Sequence, residues 1–219
     1  MRPAVATVIK REFFLGLDLG QRRDRTAIAI IERTDIQTPE RNPVTWQPVA
    51  STRTSVSYLQ RMPLHTPYTT IAEHVTRIGR NLAAIGQCTL VVDATGVGLP
   101  IVDALKIVNA PWRLMPVTIG SAAHEHYSDG FWRVPKRDLI ANLQLAFENH
   151  AFRIASRLRE AQTLIEELAS MRATTRLSGH TQFASPGTAH DDLAIALALG
   201  WWAAHTRRPG ELGINKPLI

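Results

Sequence analysis

The sequence predicts a three-layer α/β fold, in which a mixed sheet starts with antiparallel strands and carries helices on both faces. Strand-like runs come first: those near 12–19, 25–33 and 45–55 precede any convincing helix, and the first two have the pattern of a hairpin. From about 66 to 119 the chain then alternates between helices and strands. Because such alternation requires crossover connections, it favours parallel strands joined in the right-handed sense.

The first half of the chain supplies the antiparallel part of this sheet. β-branched residues are frequent between Thr26 and Ile31, which is typical of a strand. Residues 34–44 contain Thr, Asp, Pro and Asn, and we expect them to form a loop. Pro67 marks the first turn of the first helix, which we expect to end at Gly86. Its apolar residues recur at helical spacing, at Ile71, Val75, Ile78, Leu82 and Ile85.

The second half supplies the parallel strands and a terminal apolar helix. Residues 120–134 form a polar and aromatic insert, which we expect to be either a mobile hairpin over a substrate or a surface loop. The run 193–204 is apolar on nearly all sides, so the last helix is expected to be buried against the sheet. The predicted elements are strands at 88–93, 112–119 and 152–154, helices ending near 107 and at 136–149, 157–171 and 190–205, and a weak hairpin at 173–184.

Composition limits the classes of protein to which the chain can belong. With 219 residues, 45% of them hydrophobic, we expect one domain at 12–206, a flexible arm at 1–11 and a flexible tail at 207–219. One cysteine is present, so no intrachain disulfide can form, which indicates a reducing compartment. No run approaches the roughly 20 apolar residues of a membrane span. We therefore expect a cytoplasmic protein with no membrane partner.

The basic balance of the chain indicates an anionic partner. The formal net charge is +6 and the pI is about 10.1, and nucleic acid is the usual partner of such a protein. Two basic pairs are the candidate DNA-binding residues, because they lie where they can reach phosphates near the acidic residues described next. These residues are Arg22, Arg23, Lys136 and Arg137.

Carboxylates at the ends of core elements predict a metal site. Asp18 lies in an apolar strand, Asp93 ends a second one, and Asp191 with Asp192 opens the last helix. A charge in a buried strand is costly unless something pairs with it, and Mg²⁺ and Mn²⁺ prefer oxygen ligands of this kind. The two helical acids differ by about 100° around the helix axis, so we expect only one to point straight at a shared metal. The choice between them stays open.

Two further polar residues lie near this set in the sequence. Asp24 follows the first strand, and as an isolated residue it would shape the turn there. His190 precedes the two helical acids, and as an isolated residue it would belong to the cap region or the surface.

The order of these acids resembles the ribonuclease H-like nuclease superfamily. Within that superfamily, four segments look like the nuclease domain of phage terminase large subunits, and the similarity covers roughly residues 12–205. The segments are Leu17-Asp18-Leu19-Gly20, Thr26-Ala27-Ile28-Ala29, Val92-Asp93-Ala94-Thr95-Gly96-Val97-Gly98 and Trp132-Arg133-Val134-Pro135-Lys136-Arg137-Asp138-Leu139.

The resemblance implies a metal-dependent DNA endonuclease that cuts concatemeric viral DNA during packaging, in the cytoplasm of a host cell. Asp18, Asp93 and Asp191 would be the metal ligands, with Asp192 as a neighbour or substitute, and two Mg²⁺ or Mn²⁺ ions would serve the hydrolysis. Asp24 would be an accessory acid near the metals, and His190 would help to bind or position water. Double-stranded DNA, an ATPase motor, a small terminase subunit and a portal would be the partners. The sequence contains no G-x-x-x-x-G-K-[ST] motif, so we expect any motor to be supplied separately.

Two alternatives remain open from the residues alone. The Asp18-Leu19-Gly20 segment also fits an ATP-binding protein of the actin and sugar-kinase type, which needs a second phosphate loop and a second domain. A non-catalytic DNA-binding module of a packaging assembly, with structural acids, is the other alternative.

Overall fold

The computed structural model describes residues 6–20, 24–108, 110–172 and 191–206. Arg22, Arg23, His190, the hairpin expected at 173–184 and the tail from 207 lie outside the described residues. Within the described ranges the strands are β1 Thr7–Asp18, β2 Ala27–Arg41, β3 Pro48–Arg61, β4 Gln87–Asp93, β5 Arg113–Gly120, β6 His126–Ser128, β7 Phe131–Pro135 and β8 Arg153–Ile154. The helices are α1 Tyr68–Ala83, α2 Leu99–Ile107, α3 Lys136–Glu148, α4 Ala161–Arg172 and α5 Asp192–Thr206.

The strands form one mixed sheet in the order β6-β7-β5-β4-β1-β2-β3-β8. β1, β2 and β3 pair antiparallel, whereas β4 is parallel to both β1 and β5, and β5 is parallel to β7. The predicted fold class, a mixed sheet with antiparallel first strands, is therefore confirmed.

Two apolar cores, one on each face of the sheet, hold the helices in place. Alternate residues of β1 point to opposite faces: Phe13 and Leu15 belong to the core under α1 and α2, and Phe14 belongs to the core under α3, α4 and α5. Residues 193–204 of α5 are buried throughout, as predicted for a helix that is apolar on nearly all sides. This completes the three layers.

Helix α5 lies unusually close to the central strand. A Cβ atom added to Gly16 would sit 1.9 Å from the Ala196 carbonyl oxygen, and one added to Gly200 would sit 3.2 Å from the Phe14 carbonyl oxygen. Glycine at both positions lets the two backbones approach each other. The acids at the start of α5 are thereby fixed relative to the end of β1.

The antiparallel strands are longer than predicted. β1 begins at Thr7, within the expected arm, and Thr7 pairs with Gln37 of β2. β2 continues to Arg41 through the expected loop at 34–44, and β3 extends to Arg61. These outer parts form an exposed ribbon. Because an exposed ribbon does not require apolar residues at alternate positions, its composition is as polar as that of a loop. Pro39 is accommodated where the register shifts between Gln37 and Arg41, as proline requires in a strand.

The aromatic insert belongs to the sheet. β6 and β7 form a hairpin whose turn, Asp129-Gly130, has positive φ angles of 54° and 84°, as short hairpin turns require. β7 extends the parallel part of the sheet beside β5, and its Trp132 is buried. The chain then enters α3 directly at Lys136. No helix in the described ranges has the length and apolarity to cross a bilayer.

Candidate metal centre

The ends of two neighbouring parallel strands bring the first two acids together. Leu17 of β1 is in register with Val92 of β4, and Asp18 and Asp93 are the last residues of these strands. Parallel strands end at the same edge of a sheet, so both carboxylates emerge at one place. The juxtaposition predicted for these two residues is therefore present in the structure.

Helix α5 brings the other two acids to the same edge. Asp191 precedes the helix and Asp192 is its first residue. Both line the cleft that contains Asp18 and Asp93, which has a volume of about 350 Å³. That only one of them points straight at a shared metal stays a prediction. Because Asp191 lies before the first helical residue, the helical angle between successive residues does not apply to this pair. The other polar residues of the cleft are Asp24, Thr95 and Lys136.

Three carboxylates of the cleft have hydrogen-bond partners of their own. Asp93 Oδ1 accepts a hydrogen bond from the Thr95 backbone N–H at 2.8 Å. Asp191 Oδ2 accepts one from Lys136 Nζ at 2.8 Å. Asp192, which is 4% exposed, accepts one at Oδ2 from the Arg25 backbone N–H at 3.2 Å. These contacts hold the acids at the cleft wall.

The electrostatics of the cleft are dominated by negative charge. Burial raises the pKa of Asp18 well above its usual value, and the charges of Asp93, Asp192 and Asp191 raise this pKa further. Burial also raises the pKa of Asp93, against the hydrogen bonds from Thr95 and the charge of Lys136. Among the described residues that line the cleft, Lys136 is the one cation facing five carboxyl groups. A bound cation would offset this excess charge.

The donor set suits a hard divalent cation in its chemistry. All the acidic donors are carboxylate oxygens, which Mg²⁺ and Mn²⁺ prefer, and their mutual repulsion is what a cation would relieve. Within the described ranges, no three His, Cys, Asp or Glu side chains are grouped as ligands of a metal ion. Since like charges separate when nothing neutralises them, the side chains would have to draw together around an ion.

The basic residues predicted to bind DNA occupy different positions. Lys136 lies in the cleft itself. Arg137 donates a hydrogen bond from Nη2 to the Ala123 carbonyl oxygen at 2.5 Å and one from Nε to Asp138 Oδ1 at 3.1 Å, so it ties the loop before β6 to the start of α3. More than half of its side chain is still exposed.

Sequence reasoning missed two residues that support the site. Thr95 follows Asp93 by two positions. An Asp side chain that accepts a hydrogen bond from the backbone N–H two residues on is a local turn feature that the sequence could have suggested. The sequence around Glu167 of α4 contains no comparable local pattern. It accepts a hydrogen bond from the Ala194 backbone N–H at 3.0 Å, and only the packing of α4 against α5 reveals this contact.

Comparison with known proteins supports the fold. No family model matches the sequence, and no curated protein matches it. Two solved structures are similar. The g2p (large terminase) nuclease domain of bacteriophage SPP1, solved with bound Mn, has a TM-score of 0.51 and 12% identity over 88% of this chain and 86% of that one. The large terminase nuclease of the thermophilic phage G20c, solved with bound zinc, has a TM-score of 0.48 and 18% identity over 92% of this chain and 89% of that one.

The class of protein follows from the sheet and its helices: this is an α/β protein with a ribonuclease H-like fold. More narrowly, the chain shares its fold with the nuclease domain of a phage large terminase. At 12% identity the likeness is one of fold, and the acids of the cleft carry the argument about activity.

Proposed function

We propose that the protein is a metal-dependent endodeoxyribonuclease. The observation that supports this best is the convergence of Asp18, Asp93, Asp191 and Asp192, from two strands and a helix, on one cleft. Rigid elements bring these acids to one edge of the sheet, and divalent-metal hydrolysis needs acidic ligands carried by rigid elements in this way. The fold shared with a terminase nuclease domain agrees with this proposal.

The side chains divide into ligands and phosphate contacts. Asp18, Asp93 and Asp191 would hold the cation, one or two ions of Mg²⁺ or Mn²⁺, with Asp192 beside them and with Asp24 and His190 as accessory residues. A divalent cation held there would polarise the phosphodiester and activate water. Lys136, now paired with Asp191, would turn to a phosphate oxygen of the substrate once a cation takes over that carboxylate.

The wider contacts follow from charge. With a net charge of +6, the protein would bind double-stranded DNA chiefly through phosphates, and Arg22, Arg23 and Arg137 are the candidate contacts beyond the cleft. In this proposal the protein cuts viral DNA in the host cytoplasm, together with a separate ATPase motor, a small terminase subunit and a portal. The ATP-binding alternative needs a second domain, whereas the described residues build a single sheet.

Plasmid nicking tests the proposal directly. Supercoiled plasmid is incubated with protein and Mn²⁺, and relaxed and linear products are measured by gel electrophoresis. We expect cleavage by the wild type that EDTA abolishes and that Asp18→Asn reduces below detection. Asp103→Asn is the matched control, because Asp103 lies on α2 with an exposed side chain paired to Lys106. Nicking by Asp18→Asn at the wild-type rate would refute the site, and a wild type inactive with both Mn²⁺ and Mg²⁺ would refute the activity.

A further inference from the structure

The start of α5 departs from the usual way in which a helix is capped. The first N–H groups of a helix have no partner within the helix, and the residue just before the helix commonly accepts from one of them with its own side chain, aspartate being among the best at this. In α5 that residue is Asp191, because its carbonyl oxygen accepts the hydrogen bond from the Ile195 N–H at 2.9 Å.

Another residue performs this capping. The N–H of Ala194, the third residue of α5, donates to Glu167 Oε2 at 3.0 Å, and the backbone N–H groups of Ala194 and Leu193 both lower the pKa of the Glu167 carboxyl. The Asp191 carboxylate points elsewhere and accepts from Lys136 Nζ at 2.8 Å. Glu167 therefore caps α5 and Asp191 pairs with Lys136, because the Asp191 carboxylate alone could not do both.

Glu167 is held for this task by the packing of α4. Its side chain is 5% exposed, and a buried carboxylate is costly unless it is hydrogen-bonded. The N-terminus of α5 offers both the donors and the positive end of the helix dipole. Leu164, Leu168 and Met171 of α4 pack in the same core as α5, and together they fix the relative position of the two helices.

We propose that Glu167 is a positioning residue that caps α5 in place of Asp191 and thereby keeps the Asp191 carboxylate in the cleft. Without Glu167, the Asp191 side chain is the acceptor at the ordinary cap position, and it would turn back to the helix and leave Lys136. The consequence for cation binding rests on the proposed function. The change of hydrogen-bond partner by Asp191 is independent of the proposed function.

Metal binding by calorimetry tests the consequence for the cleft. Residues that hydrogen-bond a metal ligand directly typically contribute 10–100-fold to metal affinity. Glu167 acts one contact further away, through the start of α5, so Glu167→Leu is expected to weaken Mn²⁺ binding by about 10-fold, the lower end of that range. Glu167→Gln keeps an acceptor oxygen and is expected to stay within a few-fold of the wild type. Equal losses in both variants would overturn the proposal.

Two controls on α4 separate positioning from general destabilisation. Leu164→Ala removes buried volume beside α5 without touching the cap, so it should lower stability and leave the affinity for Mn²⁺ unchanged. Glu166→Gln removes a carboxylate that faces Gln162 on the same helix, and it should change neither. If Leu164→Ala weakened Mn²⁺ binding as much as Glu167→Leu does, a merely structural role would explain the result.

A double-mutant cycle tests the exchange of partners without any metal. Urea unfolding in EDTA is measured for the wild type, Lys136→Met, Glu167→Leu and the double variant. Lys136 and Glu167 both act through Asp191. Lys136→Met is therefore expected to change the free energy of unfolding less in the Glu167→Leu background than in the wild type. Additive effects would overturn the proposal. Coupled effects in a protein that binds no Mn²⁺ would uphold the positioning role and refute the proposed function.

Discussion

The acids of the cleft differ in their surroundings although they share one chemistry. Asp18 faces the charges of three other carboxylates, which raise its pKa beyond the effect of burial, whereas Asp93 is held in a local turn by Thr95. Asp191 is balanced by Lys136, and Asp192 is buried against the Arg25 backbone. Repulsion of this kind destabilises a protein, and functional sites commonly tolerate such a cost.

Glu167 gives a prediction on pH dependence. Burial raises its pKa from 4.5 to about 7, so the folded protein holds this proton more tightly than the unfolded chain does. Its contribution to the free energy of unfolding is therefore largest below pH 4.5 and is lost as the pH rises to about 7. Because one pKa unit corresponds to about 1.4 kcal/mol, the loss is at most about 3 kcal/mol.

Urea unfolding of the wild type and Glu167→Gln at several pH values between 4.5 and 8 checks this expectation. The amide does not titrate, so the stability of the variant relative to the wild type should increase across that interval. Parallel curves for the two proteins would show that Glu167 does not titrate in this range. Glu166→Gln, on the exposed side of α4, is the control that should follow the wild type.

At the scale of elements, the contact between β1 and α5 positions the site. β1 carries Asp18 at its end, and α5 carries Asp192 as its first residue. The approach of the two elements at Gly16 leaves no room for a side chain, since an added Cβ would overlap the Ala196 carbonyl oxygen. The distance between the acid at the end of β1 and the acids at the start of α5 therefore depends on a glycine that carries no chemistry itself.

Gly16→Ala tests this dependence. The added methyl group must push α5 away from the sheet, so we expect a loss of about 1–3 kcal/mol or more in the free energy of unfolding, together with loss of nicking. Gly120→Ala is the matched control, because a Cβ there meets no atom within 4 Å. Thermal unfolding and the plasmid assay measure both effects. A Gly16→Ala protein as stable as the control would contradict the close packing.

At the scale of the whole molecule, the cleft and the exposed ribbon lie at opposite ends of the antiparallel strands. β2 starts beside the cleft and runs away from it for 15 residues, which at about 3.3 Å per residue is roughly 50 Å. The turn at the far end is ordered by Asn42, whose Oδ1 accepts from the N–H groups of Val44 and Thr45. The turn at the end of this ribbon therefore lies far from the cleft, and no ribbon residue is among the described residues that line it.

Binding of a divalent cation should stabilise the whole fold. A ligand that binds only the folded state adds about 2.7 kcal/mol at 100 times its dissociation constant, which for a protein of this size raises Tm by roughly 5 to 10 °C. We expect such a rise with Mn²⁺ for the wild type and little or none for Asp18→Asn, measured by thermal unfolding against EDTA. Equal rises in both proteins would place the bound cation away from Asp18.

The sequence by itself determined the order of the elements apart from β6 and β7. It also determined the positions of Asp18, Asp93, Asp191 and Asp192, because isolated charges in apolar runs are visible without a structure. It also determined that α5 is buried, since that helix has no polar face. Only the tertiary structure decided that both helical acids reach the cleft, that the polar segment 34–41 is strand, and that Glu167 caps α5. The physical reason is the same in each case: these features depend on partners distant in the chain, and the residue types at those positions are equally common in loops and on solvated helix surfaces.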